Sequence, residues 1–226
     1  MPETPPPVIP VFPLTASLLL PGTLLPLNIF EPRYRNMVAD ALEEGMHIGM
    51  IQPVVPRLDH FGDLLDPTEV ERAPDLYHVG CVGRIDRSEA QPDGRYEIVL
   101  RGICRFHVRE ELPERRGYRQ VRADYSEFLG DLAEPQSIVD PSRMLASLRA
   151  FGEKHGLEFD YGLLGDLPGI SLLNGLAVAL PFRPEEKQAL LEAEGPMERE
   201  RLLLTLMGMG IEPLSTEEYY SPPTVN

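Results

Sequence analysis

Lysine is scarce in this 226-residue sequence, and acidic residues outnumber basic ones. Lys154 and Lys187 are the only lysines, and 21 basic residues stand against 36 acidic ones, which gives a formal net charge of −15. Proteins that bind nucleic-acid backbones use lysine and arginine to displace counterions, so this balance argues against nucleic acid as a partner. Two lysines also leave few positions for a Schiff base or a phosphate-binding loop.

Cysteine and clustered metal ligands are also scarce. Cys81 and Cys104 are too few for a disulfide scaffold and lack the Cys-x-x-Cys spacing of redox motifs. We favour two core thiols over a redox pair. The five histidines are scattered, without the spacing that a metal site needs, so we expect neither a metal nor a cofactor.

Long hydrophobic runs are absent from the sequence. No apolar stretch approaches the roughly 20 residues that a bilayer-spanning helix needs. The N-terminus, MPETPPPVIPVF, lacks the charged region and long apolar core of a signal peptide. We therefore expect a cytoplasmic protein without a membrane partner.

Proline, in contrast, is abundant. The sequence has 24 prolines, which is about twice the usual frequency. Several cluster at the two ends and predict a disordered tail at residues 1–7 and a loose tail at residues 212–226. The internal prolines stand at or near the beginnings of predicted elements, so they indicate the boundaries of helices and strands in a folded chain and not disorder.

The first apolar region predicts short strands followed by a helix. Prolines break residues 8–30 into strands joined by a turn at Pro21-Gly22. A helix is expected from Pro32, a favourable first helical residue, to Gly45, a favourable C-terminal cap.

The next region predicts an acidic loop at residues 53–75 and several further strands. Asp93-Gly94 lies between two alternating patterns, which is a strong hairpin signal. With a two-residue turn there, Arg101 would oppose Asp86, and the two cysteines would lie diagonally on one face. Residues 8–130 therefore predict a closed or half-closed barrel. Its further strands are expected at His47–Ile51, Tyr77–Arg87, Tyr96–Arg109 and residues 118–129.

After Gly130 the pattern becomes helical, and residues 131–211 predict a bundle of about four helices. Two of the expected helices begin with proline and carry glutamate in the first turn, which suits the helix dipole. The helices are predicted to run from Asp140-Pro141 to Gly156, over Ser171–Leu180, over Pro184–Glu194 and over Pro196–Met207.

Three segments, in order, resemble the N-terminal domain of Lon proteases. PLNIFEPRYRNMVADAL (26–42) resembles the opening of that domain, GCVGRI (80–85) with PDGRYEIVLRGICRFHV (92–108) resembles its central hairpin, and LPFRPEEKQALLEAEGPMERERLLLTLM (180–207) resembles its C-terminal helices. The likeness spans roughly residues 8–210.

The resemblance implies an α+β fold, in which a PUA-like β pseudo-barrel with one inserted helix is followed by a C-terminal helical bundle. It also implies a stand-alone form of the Lon substrate-binding domain. In Lon this domain helps to hold substrate polypeptide and supports assembly, whereas ATP hydrolysis and proteolysis reside in later domains.

The sequence shows no motif of those later domains, so we expect no enzymatic activity. A Walker A loop needs Gly-Lys-Ser/Thr, but Lys154 precedes His155 and Lys187 precedes Gln188. A Ser-Lys dyad needs a lysine with a lowered pKa. Lys187 is expected on an acidic helix face, which would favour its charged form.

The candidate substrate-binding residues are the apolar residues around the Pro21-Gly22 turn and nearby arginines. The leucines form either an exposed apolar lip or barrel core, and core is favoured for most of them because a small domain needs them inside. Structural surface roles are favoured for the arginines, with Arg33 or Arg35 pairing with acids such as Asp40 or Glu43. The candidates are Leu19, Leu20, Pro21, Leu24, Arg33, Arg84 and Arg101.

The leading hypothesis is a non-catalytic module that binds unfolded or hydrophobic polypeptide segments, as an adaptor for a separate protease or chaperone. We expect a monomer or a weak homodimer. The alternative is a small-molecule or nucleotide sensor that uses a cleft between barrel and bundle. RNA binding, suggested by the PUA-like architecture alone, is disfavoured by the negative charge.

Overall fold

A computed structural model describes residues 5–54, 74–133 and 139–209. The chain divides into two compact units, unit 1 (residues 1–134) and unit 2 (residues 135–226). No helix within the described ranges is long and apolar enough to cross a membrane.

Unit 1 is a six-stranded mixed sheet with one helix, α1 (Pro32–Glu44), after its second strand. A short 3₁₀ segment, Ser126–Leu132, follows the last strand. The strands are β1 (Val8–Pro13), β2 (Leu24–Ile29), β3 (His47–Ile51), β4 (Val79–Ala90), β5 (Tyr96–Arg115) and β6 (Tyr118–Asp124).

The strand order is β2-β5-β4-β3-β1-β6, and β6 also pairs with β5. The hydrogen-bonded path through β5, β4, β3, β1 and β6 therefore returns to β5. Strand β5 makes this return because it is 20 residues long, pairing with β2 through its first residues and with β6 through its last. The β1–β3 pair is parallel and the other pairs are antiparallel.

Helix α1 begins and ends as the sequence predicts. Pro32 is its first residue, and Gly45 adopts a left-handed φ of 116° while its N–H donates to the Ala41 carbonyl. Of the two arginines predicted to pair with acids such as Asp40 or Glu43, Arg33 instead forms an ion pair with Glu31 at 2.8 Å.

The β4–β5 hairpin has a different register from the predicted one. The Gln91 N–H donates to the Arg95 carbonyl, so the turn contains three residues and not two, with Gly94 at a left-handed φ of 81°. The extra residue shifts the pairing by one, and two bulges shift it again. Cys81 consequently opposes Arg105 and Cys104 opposes Val82. Adjacent residues point to opposite faces of a strand, so the predicted same-face cysteine pair is wrong.

Both ends of the predicted β region also differ from expectation. Residues 5–7 belong to the segment predicted to be disordered, yet the Tyr125 hydroxyl donates to the Pro6 carbonyl at 2.8 Å and the Ala123 N–H to the Pro7 carbonyl at 2.9 Å. The predicted strand over 118–129 ends at Asp124, and the 3₁₀ segment follows. The loose tail predicted for 212–226 and most of the acidic loop lie outside the described residues.

Unit 2 is helical, with five helices within residues 139–209. Asp140 accepts a hydrogen bond from the Ser142 N–H at the start of the first helix, and Gly156 ends that helix in a left-handed conformation. The prediction missed one short helix, α3, which contains no buried residue. The helices are α2 (Pro141–His155), α3 (Tyr161–Gly165), α4 (Gly169–Ala179), α5 (Pro184–Glu192) and α6 (Pro196–Met209).

Each unit buries apolar side chains of its own. Those of unit 1 include Ile9, Val11, Ile48, Leu100, Phe106 and Val121. Those of unit 2 include Met144, Leu148, Phe151, Leu173, Leu190 and Leu203.

Candidate binding surface

Two of the predicted binding residues, Leu19 and Leu20, are buried and cannot form an exposed lip. Their segment lies directly on strands β4 and β5. A Cβ atom at Gly102 would stand 2.1 Å from the Leu20 carbonyl oxygen, and one at Gly83 would stand 2.8 Å from the Leu19 side chain. The two glycines therefore make room for this segment, and both leucines belong to the core.

Three other predicted residues are brought together. Leu24 on β2 pairs with Arg101 on β5, which pairs with Arg84 on β4. Cross-strand partners share a face, and all three side chains are exposed, Leu24 by 50%. Pro21 is half-buried in the turn before β2. Arg33 does not share in this arrangement, since its guanidinium lies over the Tyr34 ring at 4.6 Å on α1.

The same face continues through two further rows of residues. Pro26 pairs with Val99, and Val99 with Arg87, at the middle of the three strands. A groove of about 320 Å³ runs along this part of the sheet. We call the surface the β2 face, and its members are Leu24, Pro26 and Asn28 on β2, Glu97, Val99 and Arg101 on β5, and Arg84, Arg87 and Glu89 on β4.

The middle of the β2 face, formed by Pro26 and Val99, was not predicted from the sequence. Apolar residues occupy both faces of β2, so hydrophobicity alone does not show which of them are exposed. The informative signal is their period of two, because every second residue of β2 from Leu24 to Asn28 is exposed. Phe30 continues this alternation just beyond β2, is 62% exposed and is included in the β2 face.

The charges around the groove are of both signs. The Arg101 Nε donates to the Asp86 carboxylate at 2.9 Å, which lowers the pKa of Asp86 and raises that of Arg101. This ion pair was predicted, although a bulge beside Asp86 makes it diagonal and not directly opposed. Glu89 and Glu97 face each other at the other end. An apolar middle with a charged rim is the common pattern of protein-binding surfaces.

The outer edge of β2 is unsuited to pairing with another strand. Within the described residues, β2 pairs with β5 alone. The Gly102 N–H donates to the Thr23 carbonyl, so alternation along the strand directs the backbone groups of Leu24 and Pro26 outward. Proline has no N–H and interrupts any added ladder. The β2 face is therefore suited to side-chain contacts.

Lys187 departs from its predicted environment. Its side chain is buried, and its Nζ donates to the Val178 carbonyl at 2.9 Å. Burial lowers the pKa of Lys187, so the prediction of an acidic face that favours the charged form is wrong.

Cys81 and Cys104 are both free and buried. Burial raises the pKa of Cys104 to about 12 and also raises that of Cys81, so both thiols stay protonated near neutral pH. No cluster of three potential metal ligands occurs in the parts of the chain that the structure describes.

A mixed sheet with an open, partly apolar face and a separate helical unit defines an α+β protein with a surface suited to binding. Comparison with known families then identifies its relatives. The chain belongs to the family of ATP-dependent protease La (Lon) substrate-binding domains, whose family model matches residues 8–208.

Curated relatives are full Lon proteases. The chain is 26% identical to Lon protease of Flavobacterium johnsoniae over 90% of its own length and 24% of the relative. It is 29% identical to Lon protease 2 of Sorangium cellulosum over 94% of its length and 26% of the relative. The chain thus spans about a quarter of the length of the curated relatives it matches.

Solved structures match nearly from end to end. The Lon N-terminal domain protein from Xanthomonas campestris is 25% identical, with a TM-score of 0.58 over 88% of this chain and 97% of that one. The N-terminal domain of Mycobacterium avium complex Lon protease, at 17% identity and a TM-score of 0.58, covers 89% of this chain and 98% of its own and shares the fold.

Proposed function

We propose that the protein is a non-catalytic polypeptide-binding module that holds unfolded or hydrophobic segments against the β2 face. Membership in the Lon substrate-binding family over residues 8–208 is the observation that carries this proposal. The β2 face adds a location for this binding, because Leu24, Pro26 and Phe30 are all exposed and present apolar surface along β2 and just beyond it. Contacts of this kind are weak and tolerate many sequences.

In this proposal the bound segment is passed to a separate protease or chaperone, and no chemical step takes place on the protein. The closed strand pairing of unit 1 then corresponds to a PUA-like pseudo-barrel and the helices of unit 2 to its accompanying bundle. The module acts in the cytoplasm as a monomer or weak homodimer.

The test is fluorescence anisotropy, without ATP, against a labelled unfolded protein and its folded counterpart. We expect saturable binding of the unfolded form alone. Leu24→Ser combined with Phe30→Ser should weaken this binding about tenfold, because two exposed apolar contacts are lost.

Leu129→Ser is the matched control. Leu129 is 56% exposed in the same unit, but it lies in the 3₁₀ segment and not on the β2 face. Equal losses in both variants would refute the β2 face as the location. Absence of binding to any unfolded chain would refute the function itself.

A further inference from the structure

A second apolar surface lies in unit 2, around α3 and the segments that flank it. Leu157, Leu163 and Leu167 are 36%, 69% and 39% exposed. A leucine side chain stabilises a fold when it is buried, so exposed leucines do little for the stability of the unit that carries them. Three of them within eleven residues indicate a surface that is covered by something else.

This surface is preformed. The segment after α2 lies directly on that helix, since a Cβ atom at Gly152 would stand 2.8 Å from the Leu157 carbonyl oxygen and 3.2 Å from the Phe159 ring. Asp160 caps α3 by accepting hydrogen bonds from the backbone at Gly162 and Leu163. These segments form a groove of about 590 Å³. The Arg149 guanidinium, at the wall of the groove, lies over the Tyr161 ring at 4.8 Å from the ring centre.

Carboxylates are in excess around these leucines, where Glu153, Glu158, Asp160 and Asp166 stand against Arg149 and Lys154. Glu153 and Glu158 line the groove, and Asp166 lies between Leu163 and Leu167 in sequence; all three are exposed. Within the described ranges, none of the three forms an ion pair with a basic side chain. We call this surface, from Glu153 to Leu167, the α2–α3 surface.

We propose that the α2–α3 surface is a second docking site, and that its occupant is a polypeptide segment in which apolar residues alternate with arginine or lysine. Charge complementarity identifies this occupant, because its basic residues neutralise the exposed carboxylates while its apolar residues cover the leucines. Such complementarity raises the association rate and excludes acidic segments. The β2 face carries three arginines against two glutamates and does not make this selection, so the two sites differ in what they bind.

Two labelled peptides test the proposal against the full-length protein. One alternates leucine with arginine in a glycine–serine background, and the other has glutamate in place of each arginine. We expect the arginine peptide to bind at least tenfold more tightly, with an affinity that falls as salt rises from about 0.05 to about 0.5 M.

Matched variants locate the binding. Leu163→Gln, and separately Glu153→Gln with Glu158→Gln, should each weaken arginine-peptide binding about fivefold. Their controls are Met197→Gln, which changes a residue 66% exposed elsewhere in unit 2, and Glu194→Gln, which removes another exposed carboxylate. All five positions are on the surface, so circular dichroism should show unchanged folding.

The outcomes separate this proposal from the function proposed above. Unchanged binding in both Leu163→Gln and the double glutamine variant would overturn the α2–α3 site, as would equal binding of the two peptides. Loss of arginine-peptide binding in Leu24→Ser would overturn it too, by placing the peptide on the β2 face. Loss of unfolded-protein binding in the double variant Leu24→Ser with Phe30→Ser would support the β2 face as a binding site and would not affect the proposal for the α2–α3 surface.

Discussion

The two units differ in how several of their basic residues are used, although exposed ion pairs occur in both. In unit 1, arginines pair with carboxylates across strands and turns, as in Arg101–Asp86, Arg109–Asp124, Arg115–Glu44, Arg119–Glu111 and Arg122–Glu110. In unit 2, two of the few basic side chains are buried against backbone carbonyls. Arg199 donates to the Leu190 carbonyl at 2.8 Å, and Lys187 donates to the Val178 carbonyl at 2.9 Å.

This difference follows from the secondary structure. Paired strands hold side chains of opposite charge side by side, so charges on a sheet tend to neutralise one another. Helices end in carbonyl groups without intrahelical partners, and Val178 and Leu190 lie in the last turns of α4 and α5. Basic residues that satisfy these carbonyls are not available to the surface acids. Lys187 and Arg199 therefore do not neutralise the carboxylates of the α2–α3 surface.

The largest expected effect comes from breaking the most buried ion pair of unit 1. Arg105 is almost fully buried, and its Nε donates to Asp131 at 2.8 Å while its guanidinium lies 4.5 Å from the centre of the Phe128 ring. Arg105→Ala leaves the Asp131 carboxylate without this partner, so we expect a loss of about 3 kcal/mol in the free energy of unfolding. Urea denaturation followed by circular dichroism measures it.

Arg109→Ala is the control for that variant. Arg109 also pairs with an aspartate, Asp124, but its side chain is 66% exposed. We expect little change, because water replaces an exposed partner. A loss as large as that of Arg105→Ala would show that burial does not set the strength of these pairs.

A smaller effect is expected from adding one methyl group to a glycine in each unit. Gly102→Ala forces the new Cβ against the Leu20 carbonyl oxygen and should cost about 2 kcal/mol. Gly175→Ala in α4 meets nothing within 4 Å, and alanine favours helix, so it should stabilise unit 2 by up to about 1 kcal/mol. Thermal unfolding compares the two. Equal and small shifts would contradict the close approach of Leu20 to β5.

The smallest effect is a pH-dependent one at the surface of unit 1. Hydrogen bonding to Arg101 lowers the pKa of Asp86 below its ordinary value of 3.8. A carboxylate whose pKa is lowered by folding contributes stability above its unfolded pKa, and this contribution is lost as the pH falls through the folded pKa. Arg101→Gln should therefore lower the melting temperature slightly at pH 7.

The difference between wild type and Arg101→Gln should then shrink as the pH falls below 3.8. Melting curves at a series of pH values measure it. A difference that stays constant down to acidic pH would show that Arg101 stabilises the sheet by packing and not through its ion pair.

Much of the order of elements was predictable because its signals are local. Pro32 and Gly45 bound α1, and Asp140 and Gly156 bound α2, as their backbone preferences require. The β4–β5 hairpin was also predicted, but its register was not. Asp93-Gly94 is compatible with turns of different length, and one added residue moves every cross-strand partner.

The candidate surfaces were predictable only in part. Leu24, Arg84 and Arg101 were selected from the sequence, and the structure places them in one row. Leu19 and Leu20 were selected on the same apolar character but are buried. Hydrophobicity favours burial for every leucine, so the sequence does not distinguish a core leucine from an exposed one.

The sequence by itself determined most of the succession of strands and helices and the family to which the chain belongs, because turns, caps and motifs act between residues close together along the chain. Only the tertiary structure decided how β6 pairs back with β5 and why Lys187 is buried. It also decided which leucines lie close against the sheet, where glycines such as Gly102 leave room for them. These outcomes depend on contacts between residues far apart in sequence, because the available space and unsatisfied backbone groups decide which side chains are buried.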